Sequence, residues 1–579
     1  MATDLEHARH TLAHLLAAAV LKLHPDAKRT IGPAIDTGFY YDFEFSSPIS
    51  EEDLPRIEKE MKKLLPTWTS FEHKEVTPDE ARAFFKDNPY KLELIDDIVA
   101  KGEKLTLYTS GEFTDLCRGG HVDDPSHDIP ADSFKLDKLA GAYWRGDEKN
   151  KQLTRIYGLA FANAGELNAY VKMLEEARKR DHKILGPQLD LFVFSDLVGS
   201  GLPLWTPRGT LVRNLLDDFV WSLRLARGYE RVEIPHITKR ELYEKSGHWE
   251  KYKDDLFKIR TREDHEFAMK PMNCPHHTQI YARRQFSYRD LPQRYANTTM
   301  VYRDEQTGEL SGLSRARSFT QDDAHVFCRL SQAKDEFLKI WDIIHEFYGA
   351  FGFTLAVRLS RHDPAHPEKY LGDPDKWKTA ESLLEEIVHE KKVAYIDGTG
   401  EAAFYGPKLD FLAKDSLGRE WQVATIQLDL NMPDRFDLVC ANEKGEKERI
   451  VMIHAAIMGS IERFLSILIE DTAGAFPLWL SPMQVSIHPI SEKHADAAIK
   501  VATELRVAGL RVDVSTGDET IGKRIRASET WKVPYSVILG DKDIAANVVS
   551  VRKRGGEDLG QMPLSELTSR LRQEIEQKK

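Results

Sequence analysis

The order of strand and helix signals changes once along this chain, and that change limits what it can fold into more than any single motif does. Between residues 186 and 480, short β-rich runs at 231–234, 298–302, 319–325 and 450–454 stand among longer helices without alternating one for one. A doubly wound parallel sheet needs a crossover, usually a helix, between successive strands, so this pattern predicts an antiparallel sheet in an α+β domain. From Met483 onward the alternation becomes strict: strand 485–490, helix 492–508, strand 511–515, helix 520–531, strands 535–539 and 548–551, and a last helix 565–577. That is the pattern of a small α/β domain, and Pro477 and Pro482 mark the boundary before it. Ahead of both, residues 1–180 open on a helical pattern at 5–23 and pass through the aromatic run Phe39-Tyr40-Tyr41-Asp42-Phe43. They end in a charged helix over 166–183, apolar at Leu167, Tyr170, Val171 and Leu174, which reads as a connector. The result is an α+β multidomain chain divided at 1–180, 181–481 and 482–579, a division its 579 residues support because one core cannot grow to that size.

Composition narrows the class further. The early apolar run at 11–23 follows Asp4 and Glu6 and is interrupted by His14 and Lys22, so it fits neither a secretion signal nor a membrane span. A cytoplasmic protein without a membrane partner is the expectation. Cys117, Cys274, Cys328 and Cys440 are too scattered for a disulfide framework, leaving each as a buried thiol, a ligand or a reactive group. A formal net charge of -12 argues against unspecific coating of nucleic acid and leaves local basic faces open.

Several residue groups carry chemistry. Arg303-Asp304-Glu305 closes a predicted strand, a loop with Gly308 and Gly312 follows, and Arg315 to Asp323 begins the next strand. Such a hairpin can hold an arginine against a phosphate while an aromatic stacks on a base. Gly459-Ser460-Ile461-Glu462-Arg463-Phe464 opens an apolar helix, placing Arg463 where free amides and the helix dipole favour phosphate. His10 and His14 are four apart and share a helix face, and Cys117 and His121 repeat the spacing, so three histidines and one cysteine read as a closed tetrahedral zinc site. Lys523, Arg524, Arg526, Lys532, Lys542, Arg552, Lys553 and Arg554 gather in the last domain, where a solvated face is the ordinary reading of a charge run.

Together with Pro235 behind a long helix, the hairpin and the Arg463 helix resemble motifs 1, 2 and 3 of the class II aminoacyl-tRNA synthetases, in that family's order. Lys270-Pro-Met-Asn-Cys274-Pro, Phe319-Thr-Gln-Asp-Asp-Ala-His325, Phe404-Tyr-Gly-Pro-Lys408, Met452-Ile-His-Ala455, Cys117-Arg-Gly-Gly-His121 and Gly141-Ala-Tyr-Trp-Arg-Gly-Asp147 narrow the resemblance to threonyl-tRNA synthetases, over essentially the whole chain. It departs at its start, where many bacterial relatives carry a further small domain; here the editing motif begins by His10. His276 stands where many relatives have Gly, Val423 where some have Cys, Gly120 where Pro is usual, and Asp543 where Glu is usual.

The resemblance implies an antiparallel-sheet catalytic core, an N-terminal α+β editing domain and a C-terminal α/β anticodon-binding domain. It implies threonine activation with ATP and Mg²⁺, transfer to tRNA(Thr), and hydrolysis of seryl-tRNA(Thr). Cys274, His325 and His454 would hold one zinc per chain, although their spacing alone is far from finger-like. Asp323 would accept from the threonine hydroxyl, Gln321 with Arg303 would hold its carboxylate, and Tyr405 would meet its amino group. Arg303 would serve the α-phosphate, Arg315 and Arg463 the other phosphates, Phe319 and Glu305 the adenine, and Gln422 and Thr425 the ribose. His248, in Ser246-Gly-His-Trp249, would accept the proton during transfer. In the first domain the resemblance implies metal-free editing, with His10 and Cys117 placing water and ester and His14, Lys91, Asp115 and His121 shaping the site, against the zinc reading of the spacing. Arg526, Asp543 and Arg552 would read anticodon bases. The helix at 211–227 and the strand to Pro235 resemble the class II interface, which implies a homodimer.

Overall fold

The computed structural model describes residues 2–147, 149–515 and 519–578 and divides into two compact units, 1–175 and 176–579. In the first unit the helix Ala2–Leu23 buries Leu12, Leu15, Leu16, Ala19 and Val20 against Phe39, Tyr41 and Phe43 of the strand Gly38–Glu44. Alternation along that strand sends the three aromatics into the core and turns Tyr40 the other way, toward Tyr157 and Arg155. The strand pairs antiparallel with Gln152–Ala160, which pairs with Phe134–Tyr143. A separate three-stranded sheet, Glu72–Val76, Leu105–Ser110 and Phe113–Leu116, delivers Asp115 and Cys117 beside the first helix.

The second unit is built on an eight-stranded sheet in the order 230–231, 293–302, 318–328, 451–456, 420–429, 408–414, 355–361, 395–399. Its interior pairs are antiparallel, as the irregular alternation predicts, and its two edge pairs are parallel. The helices Pro207–Leu225, Leu330–Gly349 and Ile461–Thr472 cover one face with Leu216, Phe337, Ile344, Phe347, Phe464 and Leu468, all buried. Residues 485–562 form a five-stranded sheet in which Val512–Val514, Val485–Pro489 and Tyr535–Leu539 run parallel and Val549–Lys553 and Asp558–Met562 close it antiparallel.

Four expectations change. The connector helix ends at Arg180 rather than 183, because Asp181 accepts from the Lys183 N–H and caps a second helix, His182–Gln188. The strand expected at 231–234 shrinks to Glu230–Arg231, since the chain then runs to Pro235, which has no N–H for a ladder. In the last domain the strand Asp558–Met562 and the short helix Asp541–Ala546 are additions to the predicted pattern. Among the described residues no helix is long and apolar enough to cross a membrane.

Candidate functional site

Strand alternation builds the principal site. Phe319, Gln321, Asp323 and His325 occupy every second position of Ser318–Cys328 and therefore share a face, while Thr320 and Asp322 point to the other side. Directly across the ladder His325 faces His454, and His454 faces Gln427. This face floors a cavity of about 820 Å³ lined also by Cys274, Arg303, Glu305, Arg315, Tyr405, Gln422, Thr425 and Arg463. Register thus gathers, from elements far apart in sequence, all the residues expected to meet amino acid and ATP.

Cys274, His325 and His454 bring their ligand atoms within 4.8 Å of one another, and all three are buried. Cys274 opens the helix Cys274–Tyr281, and burial pushes its thiol well above the ordinary range. His454 Nε2 donates to Asp429 Oδ2 at 3.0 Å, and His325 Nδ1 lies 2.7 Å from His277 Nδ1. With those outer nitrogens as donors, the inner ones, His454 Nδ1 and His325 Nε2, present lone pairs to each other at 3.1 Å. A cation between them, held also by the cysteine sulfur, satisfies all three atoms, so the donor set fits a metal with one position left open.

The polar groups around this cluster divide into unpaired ones and ones paired with each other. Among the described residues no carboxylate lies within ion-pair distance of Arg303 or Arg463, and Arg303 Nε and Gln321 Oε1 are buried without a hydrogen bond. Arg303 stacks its guanidinium 5.2 Å from the centre of the Phe319 ring. Arg315 is held by Glu305 at 2.7 Å and by Glu309 at 2.9 Å, so the expected adenine and phosphate contacts start out paired with each other. Asp323 accepts from Asn273 at 3.0 Å, and burial pushes its carboxyl up to about 6. Gln422 and Thr425 both donate to Asp410, which is fully buried and also meets Arg358 and Ser360.

The first unit holds the second cluster. His10, His14, Cys117 and His121 bring ligand atoms within 4.8 Å, with Cys117 Sγ 3.5 Å from His10 Nε2 and 3.3 Å from His121 Nε2. Behind them Asp115 is 1% exposed and takes Lys91 Nζ at 2.8 Å, Arg29 Nε at 3.2 Å and the Tyr41 hydroxyl at 2.6 Å. Lys91 and Arg29 hold the Asp115 carboxyl far below its usual range despite its burial. Burial pushes the Cys117 thiol up to about 11 and lowers His14 to about 3, so the cluster presents neutral groups at neutral pH.

Comparisons with known proteins identify the family. Family models match three stretches: the tRNA synthetase class II core domain (G, H, P, S and T) at 257–472, the anticodon binding domain at 484–574, and the threonyl and alanyl tRNA synthetase second additional domain at 105–157. The threonine–tRNA ligase of Cytophaga hutchinsonii is 47% identical over 572 residues, 98% of this chain and 88% of that protein. That of Staphylococcus carnosus is 46% identical over 578 residues, 99% and 89%. The chain belongs to the threonine–tRNA ligase family. Among solved structures, the RNA binding domain of threonyl-tRNA synthetase from Cryptosporidium parvum Iowa II superposes with a TM-score of 0.65 at 36% identity, covering 68% of this chain and 98% of that one.

Within this member of the family, two expected site residues are buried. His248 is fully buried and does not line the cavity; its Nδ1 meets Ser246 Oγ at 2.8 Å and its Nε2 lies 3.9 Å from Cys274 Sγ. Burial lowers it to about 3, so the ring is neutral at pH 7 and packs against Tyr252 and Phe404. Asp543 is 5% exposed, and its carboxylate accepts from Gly540 N–H at 2.9 Å, Ser550 Oγ at 2.7 Å and Gln561 at 2.8 Å. It caps the short helix Asp541–Ala546, an element the sequence reading did not include. Arg526 and Arg552 are exposed, as base contacts must be. Two more members of the basic run turn inward: Arg524 donates to the carbonyls of Pro489 and Ser515, and Arg554 to those of Ala475, Phe476 and Lys532. Residues without a sequence-derived role also enter the sites. Lys408 and Gln427 line the cavity, His277 and Asp429 orient the metal-type ligands, and Arg29 and Tyr41 complete the Asp115 cluster. Alternation from Asp323 through His325 and across to Gln427 was the one signal that could have found the last strand's contribution.

Proposed function

We propose that this chain activates threonine with ATP, transfers it to tRNA(Thr), and hydrolyses seryl-tRNA(Thr). The observation that carries the reading is the Cys274, His325, His454 cluster opening into a cavity beside two arginines that lack carboxylate partners among the described residues. In the first step a threonine carboxylate oxygen attacks the α-phosphorus of ATP, a P–O bond forms, and the bond to pyrophosphate breaks with pyrophosphate as leaving group. Arg303 serves the α-phosphate and Arg463 and Arg315 the others, with Mg²⁺ accompanying the nucleotide; cationic groups preorganised at the charge that develops are the main source of acceleration. Phe319 stacks the adenine, Glu305 meets its amine, and Gln422 and Thr425 border the ribose. Gln321 and Arg303 hold the substrate carboxylate.

Cys274, His325 and His454 would hold one zinc, which would supply a Lewis-acid site for the amino and hydroxyl groups of threonine. Asp323 takes the hydroxyl proton side and Tyr405 closes over the amine. A site that must be satisfied by a hydroxyl rejects valine by about 10⁴-fold, whereas serine lacks only a methyl and is rejected by about 10- to 200-fold. Hydrolysis after transfer is therefore assigned to the first domain: His10 and Cys117 place water and ester in a metal-free site shaped by His14, Lys91, Asp115 and His121. The domain division 1–180, 181–481 and 482–579 follows these tasks, with Arg526 and Arg552 facing the anticodon loop, in a cytoplasmic homodimer. ATP–pyrophosphate exchange with each of the twenty amino acids tests the reading: threonine should drive exchange, serine weakly, valine not at all. Exchange driven best by another amino acid would overturn it.

A further inference from the structure

A third group of metal-type donors lies outside both clusters: Asp181, His182 and Glu470 also approach within 4.8 Å of one another. Their hydrogen bonds leave no place for a cation. His182 is 2% exposed, and its Nε2 accepts the backbone N–H of Leu313 at 3.0 Å. That nitrogen must carry a lone pair, which puts the ring proton on Nδ1, 2.6 Å from Glu470 Oε1. The other carboxylate oxygen of Glu470 stands 2.7 Å from Arg419 Nη2. With the lone pair of the ring and both oxygens engaged, the group is a clamp.

The two things it joins both belong to the cavity. Leu313 sits in the loop between the strands Gln293–Tyr302 and Ser318–Cys328, and Leu313, Ser314 and Arg315 line the cavity wall. Glu470 lies on the helix Ile461–Thr472, whose first turn carries Arg463. The neighbouring Gly312 has φ +54°, and a Cβ there would stand 2.4 Å from His182 Nε2, so the ring is packed where only glycine leaves room. A second tie joins the same two elements, Ser314 Oγ to Ser466 Oγ at 3.0 Å.

We propose that His182 is a positioning residue for the nucleotide: by pinning the loop backbone at Leu313 to the helix of Arg463, it fixes the separation between the arginines that take the ATP phosphates. The inference rests on the reading of the cavity as the ATP site. The side chain touches no substrate, so its effect belongs to ATP and not to threonine, whose contacts come from the strands and the helix Cys274–Tyr281.

Two substitutions separate the two ring nitrogens. His182→Gln carries an amide oxygen to about the reach of Nε2 and keeps an acceptor for Leu313; His182→Asn keeps a donor for Glu470 and loses Leu313. In ATP–pyrophosphate exchange with the full chain, His182→Asn should raise KM for ATP about tenfold, the order expected for one buried hydrogen bond, with KM for threonine within about twofold. His182→Gln should recover most of the ATP KM. Equal ATP KM values in the two variants, or a threonine KM that moves as far, overturn the proposal. If His182→Asn melts early, Gly312→Ala carries the test, since its new Cβ displaces the ring: a raised ATP KM with threonine unmoved is expected, and an unchanged ATP KM overturns it. A wild-type chain without threonine-dependent exchange would instead sink the reading of the cavity, and this inference with it.

Discussion

At the scale of single residues, the most demanding position is His454, whose outer nitrogen is held by Asp429 while its inner one faces His325. The Asp429 oxygen Oδ1 also accepts from the N–H groups of Asn431 and Met432 at 2.7 and 2.8 Å. An asparagine can keep those two contacts and lose the charge on the other oxygen. Asp429→Asn should therefore fold normally and bind zinc about 10- to 100-fold more weakly, measured by chelator competition. An unchanged affinity would mean that Asp429 does not set the tautomer of His454. Cys274→Ser should be harsher, because a serine hydroxyl is neutral at pH 7 and cannot replace a thiolate ligand. Elemental analysis should find its zinc lost, and threonine activation should fall by orders of magnitude.

At the scale of elements, the helix Ile461–Thr472 is where local chemistry and function meet. Ser460 caps it by accepting the N–H of Arg463 at 3.2 Å, and Ser460 also pairs as a bridge with Gln321 on the neighbouring strand. Loss of an N-cap costs about 1 kcal/mol of helix stability. Because the released N–H belongs to Arg463 itself, Ser460→Ala should raise KM for ATP several-fold while zinc content stays at one per chain. A variant that loses zinc together with ATP affinity would show instead that the whole sheet face has moved. The helix is apolar along its buried side, where Leu465, Leu468 and Ile469 pack into the core, while Arg463, Phe464 and Ile467 border the cavity.

At the scale of the whole molecule, synthesis and proofreading occupy separate compact units, so their defects should separate as well. His10→Ala combined with Cys117→Ala should leave threonylation nearly intact while seryl-tRNA(Thr) accumulates, read directly by deacylation of preformed mischarged tRNA. Clearance at the wild-type rate would deprive the first unit of its assigned task. Elemental analysis of the wild type should find one zinc per chain; two would give the His10, His14, Cys117, His121 quartet a metal and end the metal-free account. Light scattering at micromolar concentration should give twice the chain mass of 66.2 kDa. A single-chain mass would remove the homodimer.

The sequence by itself determined the fold classes and named candidate residues for the sites. Irregular alternation predicted an antiparallel core, strict alternation an α/β end domain, and short motifs named the cysteine and histidines of both clusters. The first two signals are local, written in periodicity, whereas Cys274, His325 and His454 were named only through the resemblance to the family, their spacing being far from finger-like. What only the tertiary structure decided depends on register and burial. That His325 lies opposite His454, that Asp429 and His277 stand behind them, and that Lys408 and Gln427 reach the same cavity follow from strand pairing between distant segments. The burial of Asp543 and His248 was not legible for one reason: a polar side chain in a motif looks the same in sequence whether it faces solvent or satisfies a buried N–H, hydroxyl or thiol. His182 was passed over as part of a connector helix, because the glycine that makes room for its ring and the loop N–H that binds it lie far along the chain, beyond the reach of any local pattern.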